Sequence, residues 1–279
     1  MRPFITSAFA LLLAWCSFSR SGAALAHEYY LQPENFSPPL GTEFYVSHKL
    51  GQKFKGNGMP WIDRWNVRSE LWQGKEHREL RSRDGDRPAL RLSLSQERLA
   101  TVVHESNIDK LDFKVWEKFV SYTDKEGLSA IARQHLSEGN PKPDDNNPIR
   151  ELYARFAKTL VTPNGTTQGD DVATGLTIEL VALENPMRIK AGAGLPVQLL
   201  FRREPLEGAT VKVFAAPGQE HSRRLITDAQ GRVLVPDDGP GPYLLNAIAM
   251  TKVVATGDVA EGADWQSFWA SLTFERRGR

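Results

Sequence analysis

The chain has 279 residues, and its 35 basic and 34 acidic side chains give a formal charge of +1 at pH 7. A chain this close to neutrality lacks the dense positive surface that binds nucleic acid or acidic membranes, so we expect neither as a partner. Cys16 is the only cysteine in the sequence, which excludes a framework of internal disulfides.

Residues 1–26 have the pattern of a secretory signal peptide. Arg2 is followed by an apolar run over residues 8–18, and small residues then lead to an A-x-A sequence that ends at Ala26. We therefore expect cleavage after Ala26. His27 would then be the first residue of the exported chain, and the periplasm would be its compartment.

Two other interpretations of this segment fit the sequence less well. In the first, the apolar run is a retained membrane anchor, but residues 8–18 are fewer than the ~20 apolar residues that span a bilayer. In the second, Cys16 carries a lipid, although the bulky Trp15 precedes it where a small residue is expected. We favour cleavage, and so expect no stable membrane span in the exported chain.

The segment 27–165 is predicted to form an N-terminal β-sandwich with inserted helices. Apolar and polar residues alternate in GTEFYVSHKL and ALRLSLSQ, with turns that contain Gly and Pro between such runs. Spacings of three and four residues in DFKVWEKFVSYTDKEGLSAIARQHL then predict helices. The same spacing predicts a further helix in IRELYARFAKTLV, residues 149–161.

The segment 172–279 is predicted to form a second, C-terminal β-sandwich after the linker TPNGTTQGDD. About seven short strands at even spacing are typical of an immunoglobulin-like or prealbumin-like sandwich. Asp170 and Asp171, at the end of the linker, are interpreted as part of a solvated turn. The expected fold class is thus mainly β with a helical insertion, in two β-sandwich domains.

Several stretches of the chain together resemble the DUF4198 family of exported bacterial proteins, whose mature chains start with HDFWLEP or a similar sequence. The resemblance rests on HEYYLQPENFSPPLGTEFYV, LGQKFKG, VHES, LYARFAKTLV, TDAQGRVLVP and the closing ADWQSFWASLTFE, which occur in this order. The family is often labelled a nickel-transport component, after the membrane protein NikM. The resemblance implies a fold, an exported location and a link to metals, but no reaction.

His27 is the principal candidate metal ligand. As an amino-terminal residue it would offer the α-amine and the ring Nδ1 to one ion, and both groups lose protons readily near neutral pH. A second histidine from the sandwich would complete a three-nitrogen site, an arrangement called a histidine brace that suits Cu(II). The candidates are His48, in FYVSHKL, and His104, in ATVVHES, and the sequence leaves open which of them is the ligand. Cu(II) and Ni(II) are therefore the candidate ions.

The remaining histidines carry no such pattern. His77 and His221 lie in charged loops, and His135 is expected on the surface of a helix. The six histidines show no HExxH or HxxxH spacing, which argues against a zinc protease.

The sequence favours a binding protein over an enzyme. It contains no G-x-S-x-G elbow, P-loop or dinucleotide fingerprint. We expect an exported protein that binds or delivers copper or nickel, with an envelope transporter or receptor as a candidate partner. Two alternatives were considered: a structural or interaction module of the cell envelope that binds protein or glycan without metal, and a copper oxygenase.

Overall fold

The computed structural model describes residues 28–215, 222–253 and 260–277. They form three β-sheets and two α-helices, which confirms the prediction of a mainly β chain with a helical insertion. The strands are β1 (Glu28–Pro33), β2 (Glu43–Gln52), β3 (Lys55–Met59), β4 (Asn66–Gln73), β5 (Glu76–Glu79), β6 (Leu90–Ser93), β7 (Ala100–Ser106), β8 (Asp109–Phe113), β9 (Ile149–Val161), β10 (Ile178–Ala182), β11 (Leu195–Phe201), β12 (Glu204–Pro205), β13 (Thr210–Phe214), β14 (Arg223–Ile226), β15 (Arg232–Val235), β16 (Gly241–Lys252) and β17 (Trp265–Arg276). The helices are α1 (Trp116–Glu126) and α2 (Ser129–Ser137).

A nine-stranded central sheet runs through the whole molecule. Its strand order is β14-β13-β16-β17-β9-β7-β4-β5, and β8 pairs with the first part of β9. All its pairs are antiparallel except β9 and β17, which lie parallel from Glu151 opposite Trp265 to Thr159 opposite Thr273. Strands from the N-terminal and C-terminal parts of the chain therefore belong to one sheet. The division into domains 27–165 and 172–279 stays a prediction.

A four-stranded front sheet covers one face of the central sheet. Its order is β1-β2-β3, with β6 paired to the first part of β2. Alternate residues of its strands point inward: Phe44 and Val46 of β2 pack with Val102 of β7 and Ala157 of β9. This alternation is the predicted pattern of a sandwich whose outer face meets solvent.

A four-stranded back sheet covers the opposite face of the central sheet. It consists of β10, β11, β12 and β15, with β11 paired to the other three. Val197 and Leu199 of β11 pack with Leu245 of β16 and Leu272 of β17 in the largest apolar core. Two facing sheets of short antiparallel strands are the layout of an immunoglobulin-like sandwich, as predicted for the C-terminal part.

The two helices cover the front face of the central sheet beside the front sheet. Phe119 of α1 and Ile131 of α2 pack on Trp265 of β17 and Ile149 of β9. Gly127 separates the helices: it lies in the left-handed region with φ of 76°, and this C-cap ends α1. Among the described residues, neither helix has the length and apolar character needed to cross a membrane.

The helix predicted for residues 149–161 is wrong, because this segment is strand β9. The strand pairs with β7 and β8 on one side and with β17 on the other, and both of its faces are covered. A strand buried on both faces places apolar residues at almost any spacing, so Leu152, Phe156 and Leu160 matched a helical period by chance. Tertiary pairing overrode the local pattern.

A buried ion cluster connects β9 to the linker and to the back sheet. Lys158 Nζ lies 3.0 Å from Asp171 Oδ1 and 3.5 Å from Glu179 Oε2, and all three side chains are at most 1% exposed. The hydroxyl of Thr101 and the amide of Ala182 donate to the carboxylate of Asp171 at 2.9 and 3.0 Å. The interpretation of Asp171 as part of a solvated turn is wrong, since it is the counter-ion of a lysine inside the protein.

We expect Lys158→Met to lower the free energy of unfolding by about 3–5 kcal/mol, because it leaves two carboxylates buried without their cation. Urea denaturation at pH 7 measures the loss. Arg81→Met removes a cation from an exposed pair with Glu79 and should change stability by less than about 0.5 kcal/mol. A loss below about 1 kcal/mol for Lys158→Met would contradict the presence of a buried, charged cluster at this position.

A second buried carboxyl lies under the helices. Glu151 of β9 is 0% exposed, and its Oε1 accepts hydrogen bonds from the hydroxyls of Tyr122 at 2.9 Å and of Ser267. Its Oε2 is buried without a hydrogen-bond partner. Burial raises the pKa of Glu151 to about 7, against the two hydrogen bonds, which lower it.

This raised pKa predicts a measurable pH dependence of stability. The folded-state pKa lies above the ordinary value of 4.5, so the stabilising protonated form is complete at low pH and is lost as the pH rises from about 4.5 to about 7. We expect Glu151→Gln to remove this loss and to gain roughly 2–3 kcal/mol over wild type between pH 5 and pH 8. Urea denaturation across this range measures the difference. If the free energies of unfolding of wild type and Glu151→Gln changed with pH in parallel, the raised pKa of Glu151 would be refuted. Glu117→Gln, on the exposed face of α1, is the control and should follow wild type.

Candidate functional site

His48 and His104 come from two different sheets and meet in the space between them. His48 lies in β2, opposite Met59 of β3, and His104 lies in β7, opposite Ser69 of β4. Side chains alternate along β7, so His104 points to the same face as Val102, toward the front sheet. The strands thus bring together the two histidines between which the sequence could not choose.

The two imidazole rings form a close buried pair. Their centroids are 4.6 Å apart, and the side chains are 3% and 2% exposed. The ring of Tyr29 lies 5.8 Å from that of His48 and 5.2 Å from that of His104. His104 Nδ1 lies 3.3 Å from the hydroxyl of Ser69, a contact that does not use its Nε2, while His48 Nε2 is buried with no hydrogen-bond partner.

Burial keeps both imidazoles neutral. It lowers the pKa of His48 to about 4, because the charged form would lose its hydration. The pKa of His104 is lowered well below its ordinary value of 6.5, first by burial and then by the nearby His48 and Arg155. Near neutral pH both rings are therefore in the neutral form, which is the form in which imidazole binds metals.

The pair lies at the wall of a cavity of about 530 Å³. Aromatic, apolar and polar side chains line the cavity, and three of the lining residues are charged. The residues that line it include Tyr29, Met59, Trp65, Tyr153, Asn66, Asn107, Ser106, Arg64, Asp109 and Arg155, besides the two histidines. Its volume is in the range of small-molecule sites.

The other histidines are placed as follows. His27, the predicted principal ligand, lies outside the described residues, as does His221. His77 is exposed, as predicted, but it lies in strand β5 and not in a loop, and its ring stacks on that of Trp72 with centroids 4.2 Å apart. The surface position expected for His135 is wrong: the residue is 2% exposed, and its Nε2 lies 3.0 Å from the carbonyl of Pro141.

Sequence reasoning missed two residues of the site, Tyr29 and Arg155. The guanidinium of Arg155 lies 5.6 Å from the centroid of the Tyr29 ring and 4.8 Å from that of Tyr153, close enough for cation–π contact with both. Arg155 was missed because residues 149–161 were interpreted as a helix. Interpreted as a strand, the segment places Tyr153, Arg155 and Ala157 on one face, toward the front sheet.

A metal site within the described residues has only the two imidazoles as strong ligands. Those residues contain no group of three or more His, Cys, Asp and Glu side chains placed to hold one ion. The pair nevertheless fits a metal, since His48 has an orphaned ring nitrogen that a metal ion would satisfy. A complete coordination sphere would need donors from elsewhere in the chain or from a ligand.

The fold and the site define a class: a three-layered β protein with a neutral histidine pair in a cavity between two sheets. The model of the family described as "Domain of unknown function (DUF4198)" matches residues 24–251. The chain belongs to this family, which confirms the resemblance in its sequence.

Comparison with curated proteins and with solved structures indicates no function for the chain. No curated protein matches the sequence. Among solved structures, one described as "D0-D1 domain of Intimin" aligns with 88% of this chain and 97% of its own at 10% identity, with a TM-score of 0.20.

The histidine pair predicts a pH dependence opposite in sign to that of Glu151. The folded-state pKa of His48 lies below the ordinary value of 6.5, so its stabilising neutral form is complete above about pH 6.5 and is lost as the pH falls toward 4. Relative to His48→Asn, wild type should lose up to about 1.4 kcal/mol per pH unit in this window. Urea denaturation of both proteins between pH 7 and pH 4.5 measures this. If the free energies of unfolding of wild type and His48→Asn changed with pH in parallel, His48 would not be held neutral by the fold.

Proposed function

We propose that the protein is an exported periplasmic protein that binds or delivers a transition metal, copper or nickel. His48 and His104 would supply two ring nitrogens, and His27, as the amino-terminal residue of the exported chain, would add its amine and its imidazole. The observation that carries the proposal is the buried pair of neutral imidazoles, 4.6 Å apart at the wall of a cavity, with one ring nitrogen unpartnered.

The energetics of the pair support metal binding. A buried polar atom without a hydrogen bond costs about 1–3 kcal/mol, and His48 Nε2 bears this cost. A metal bound at this nitrogen would offset it. No proton has to be removed first, because burial already keeps both rings neutral.

The nature of the donors supports copper or nickel. Imidazole nitrogens suit both ions, and an amino-terminal amine adds a nitrogen donor of the same kind. Met59, opposite His48 in the sheet, lines the same cavity and carries a thioether, a soft donor that favours Cu(I). The metal would be the cargo of the protein, and an envelope transporter or receptor would take it up.

A second candidate function is a metal-independent module of the cell envelope that binds protein or glycan. Trp65 and Ile108 line the cavity and are 44% and 40% exposed, which favours contact with a partner at the opening. The two functions differ in their need for metal, so one titration separates them.

We expect the chain that starts at His27 to bind Cu(II) or Ni(II) more tightly than micromolar, as measured by isothermal titration calorimetry at pH 7.5. His48→Ala and His104→Ala should each weaken binding at least 10-fold, because each removes one nitrogen donor. One glycine added before His27 should weaken Cu(II) binding by orders of magnitude, since the amine and the ring would then belong to different residues.

His77→Ala is the matched control, because it removes an exposed imidazole outside the cavity. Equal affinity with and without the added glycine would exclude His27 as a chelating ligand while leaving the pair as the site. Absence of binding tighter than micromolar in the wild-type chain would refute the proposal and favour the envelope module.

A further inference from the structure

We infer that the cavity takes its metal as a complex with a small carboxylate chelator, and that Arg155 binds the carboxylate. This inference rests on the proposed function and specifies the chemical form of the cargo. Three observations lead to it: the volume of the cavity, the charge of its wall and an unpartnered acceptor.

The cavity is much larger than an ion requires. A metal bound to two imidazoles needs only the space of one or two further donor atoms, whereas the cavity has about 530 Å³. Volumes of this size hold organic molecules. Space beyond the histidine pair is therefore available for a ligand that arrives with the metal.

The charge of the wall disfavours a bare cation. The charged residues among the described lining residues are two arginines, Arg64 and Arg155, and one acid, Asp109. Asp109 accepts a hydrogen bond from the hydroxyl of Tyr153 at 2.9 Å. Repulsion between a guanidinium and a divalent ion lowers the affinity for the ion alone. A metal bound to a polycarboxylate has little or no positive charge, and Arg155 attracts it.

Arg155 is well prepared to bind a carboxylate. Its guanidinium lies near the rings of Tyr29 and Tyr153, and no carboxylate among the described residues lies within ion-pair distance of it. Aromatic contacts hold the planar group, and one of its N–H groups faces the hydroxyl oxygen of Tyr153. The remaining N–H donors of the guanidinium can form two parallel hydrogen bonds to a carboxylate. Tyr29 also contacts both histidines, so Arg155 and the pair face the same space.

A buried oxygen of Asn66 without a hydrogen-bond partner indicates which chelators fit the cavity. Asn66 Nδ2 donates to the carbonyl of Ile62 at 2.7 Å, whereas Asn66 Oδ1 is buried and has no partner. Asn66 lines the same cavity, and its oxygen can accept a hydrogen bond from a hydroxyl or amino group. The ligand class is therefore a hydroxy- or aminocarboxylate that chelates the metal and leaves a carboxylate for Arg155.

Citrate is the probe for this class. Equilibrium dialysis of the chain that starts at His27 against Ni(II), against radiolabelled citrate and against both together measures which components are retained. We expect citrate to be retained only with nickel, at one of each per protein. The experiment is repeated with Cu(II).

Arg155→Gln should weaken retention of the nickel–citrate complex at least 10-fold and leave the affinity for Ni(II) alone unchanged or tighter, because it removes a positive charge beside the histidines. Arg155→Lys keeps the charge but loses the planar fork, and should give an intermediate loss. Arg78→Gln, an exposed charge change on β5 outside the cavity lining, should behave as wild type. Thermal unfolding establishes that each variant is folded.

Three results would overturn the inference. In the first, citrate strips nickel from the protein and no ternary complex forms. In the second, Arg155→Gln weakens the binding of bare nickel and of nickel–citrate equally. Both leave the proposed function intact if Ni(II) or Cu(II) alone is still bound. In the third, no metal is bound in any form, and the proposed function falls together with the inference.

Discussion

The parallel pairing of β9 with β17 organises all three layers of the molecule. It joins strands that are more than a hundred residues apart into one central sheet. The front sheet and the helices then cover one face of this sheet, and the back sheet covers the other. With both faces buried, every polar side chain on β7, β9 and β17 must find a partner inside the protein or bear the cost of lacking one.

The two faces of the central sheet differ in how completely their buried polar side chains are paired. On the back face Lys158 has the two carboxylates of Asp171 and Glu179, which themselves accept several further hydrogen bonds. On the front face, within the described part of the chain, His104 has a hydrogen bond of 3.3 Å to Ser69, and His48 Nε2 is buried without a partner. A satisfied cluster is explained by stability alone, whereas an unsatisfied pair beside a cavity calls for a ligand. This difference is the reason for which we assign the proposed metal site to the front face.

The proposed site is formed by residues from two packed sheets and not by a motif of neighbouring residues in the sequence. Its two ring donors come from different sheets, and the guanidinium that we assign to a carboxylate comes from β9. In the site that we propose, the fixed positive charge of Arg155 would disfavour a bare cation and would favour a metal that carries its own anionic ligand. Metal and chelator would thus be recognised together: the two histidines would bind the metal, and Arg155 would bind a carboxylate of the chelator.

Much of the local structure could be predicted from the amino-acid sequence: many of the sandwich strands, the two helices between residues 116 and 137, the family, and the short list of histidines that contained His48 and His104. These follow from alternation, helical period and residue type, which are local properties. Three features could not be predicted in this way: residues 149–161 form a central strand, Asp171 is buried, and the two histidines meet with Arg155 nearby. The physical reason is that pairing across long sequence separations sets which face of a strand is buried and which charges lose their water, and neither is encoded in the spacing of neighbouring residues.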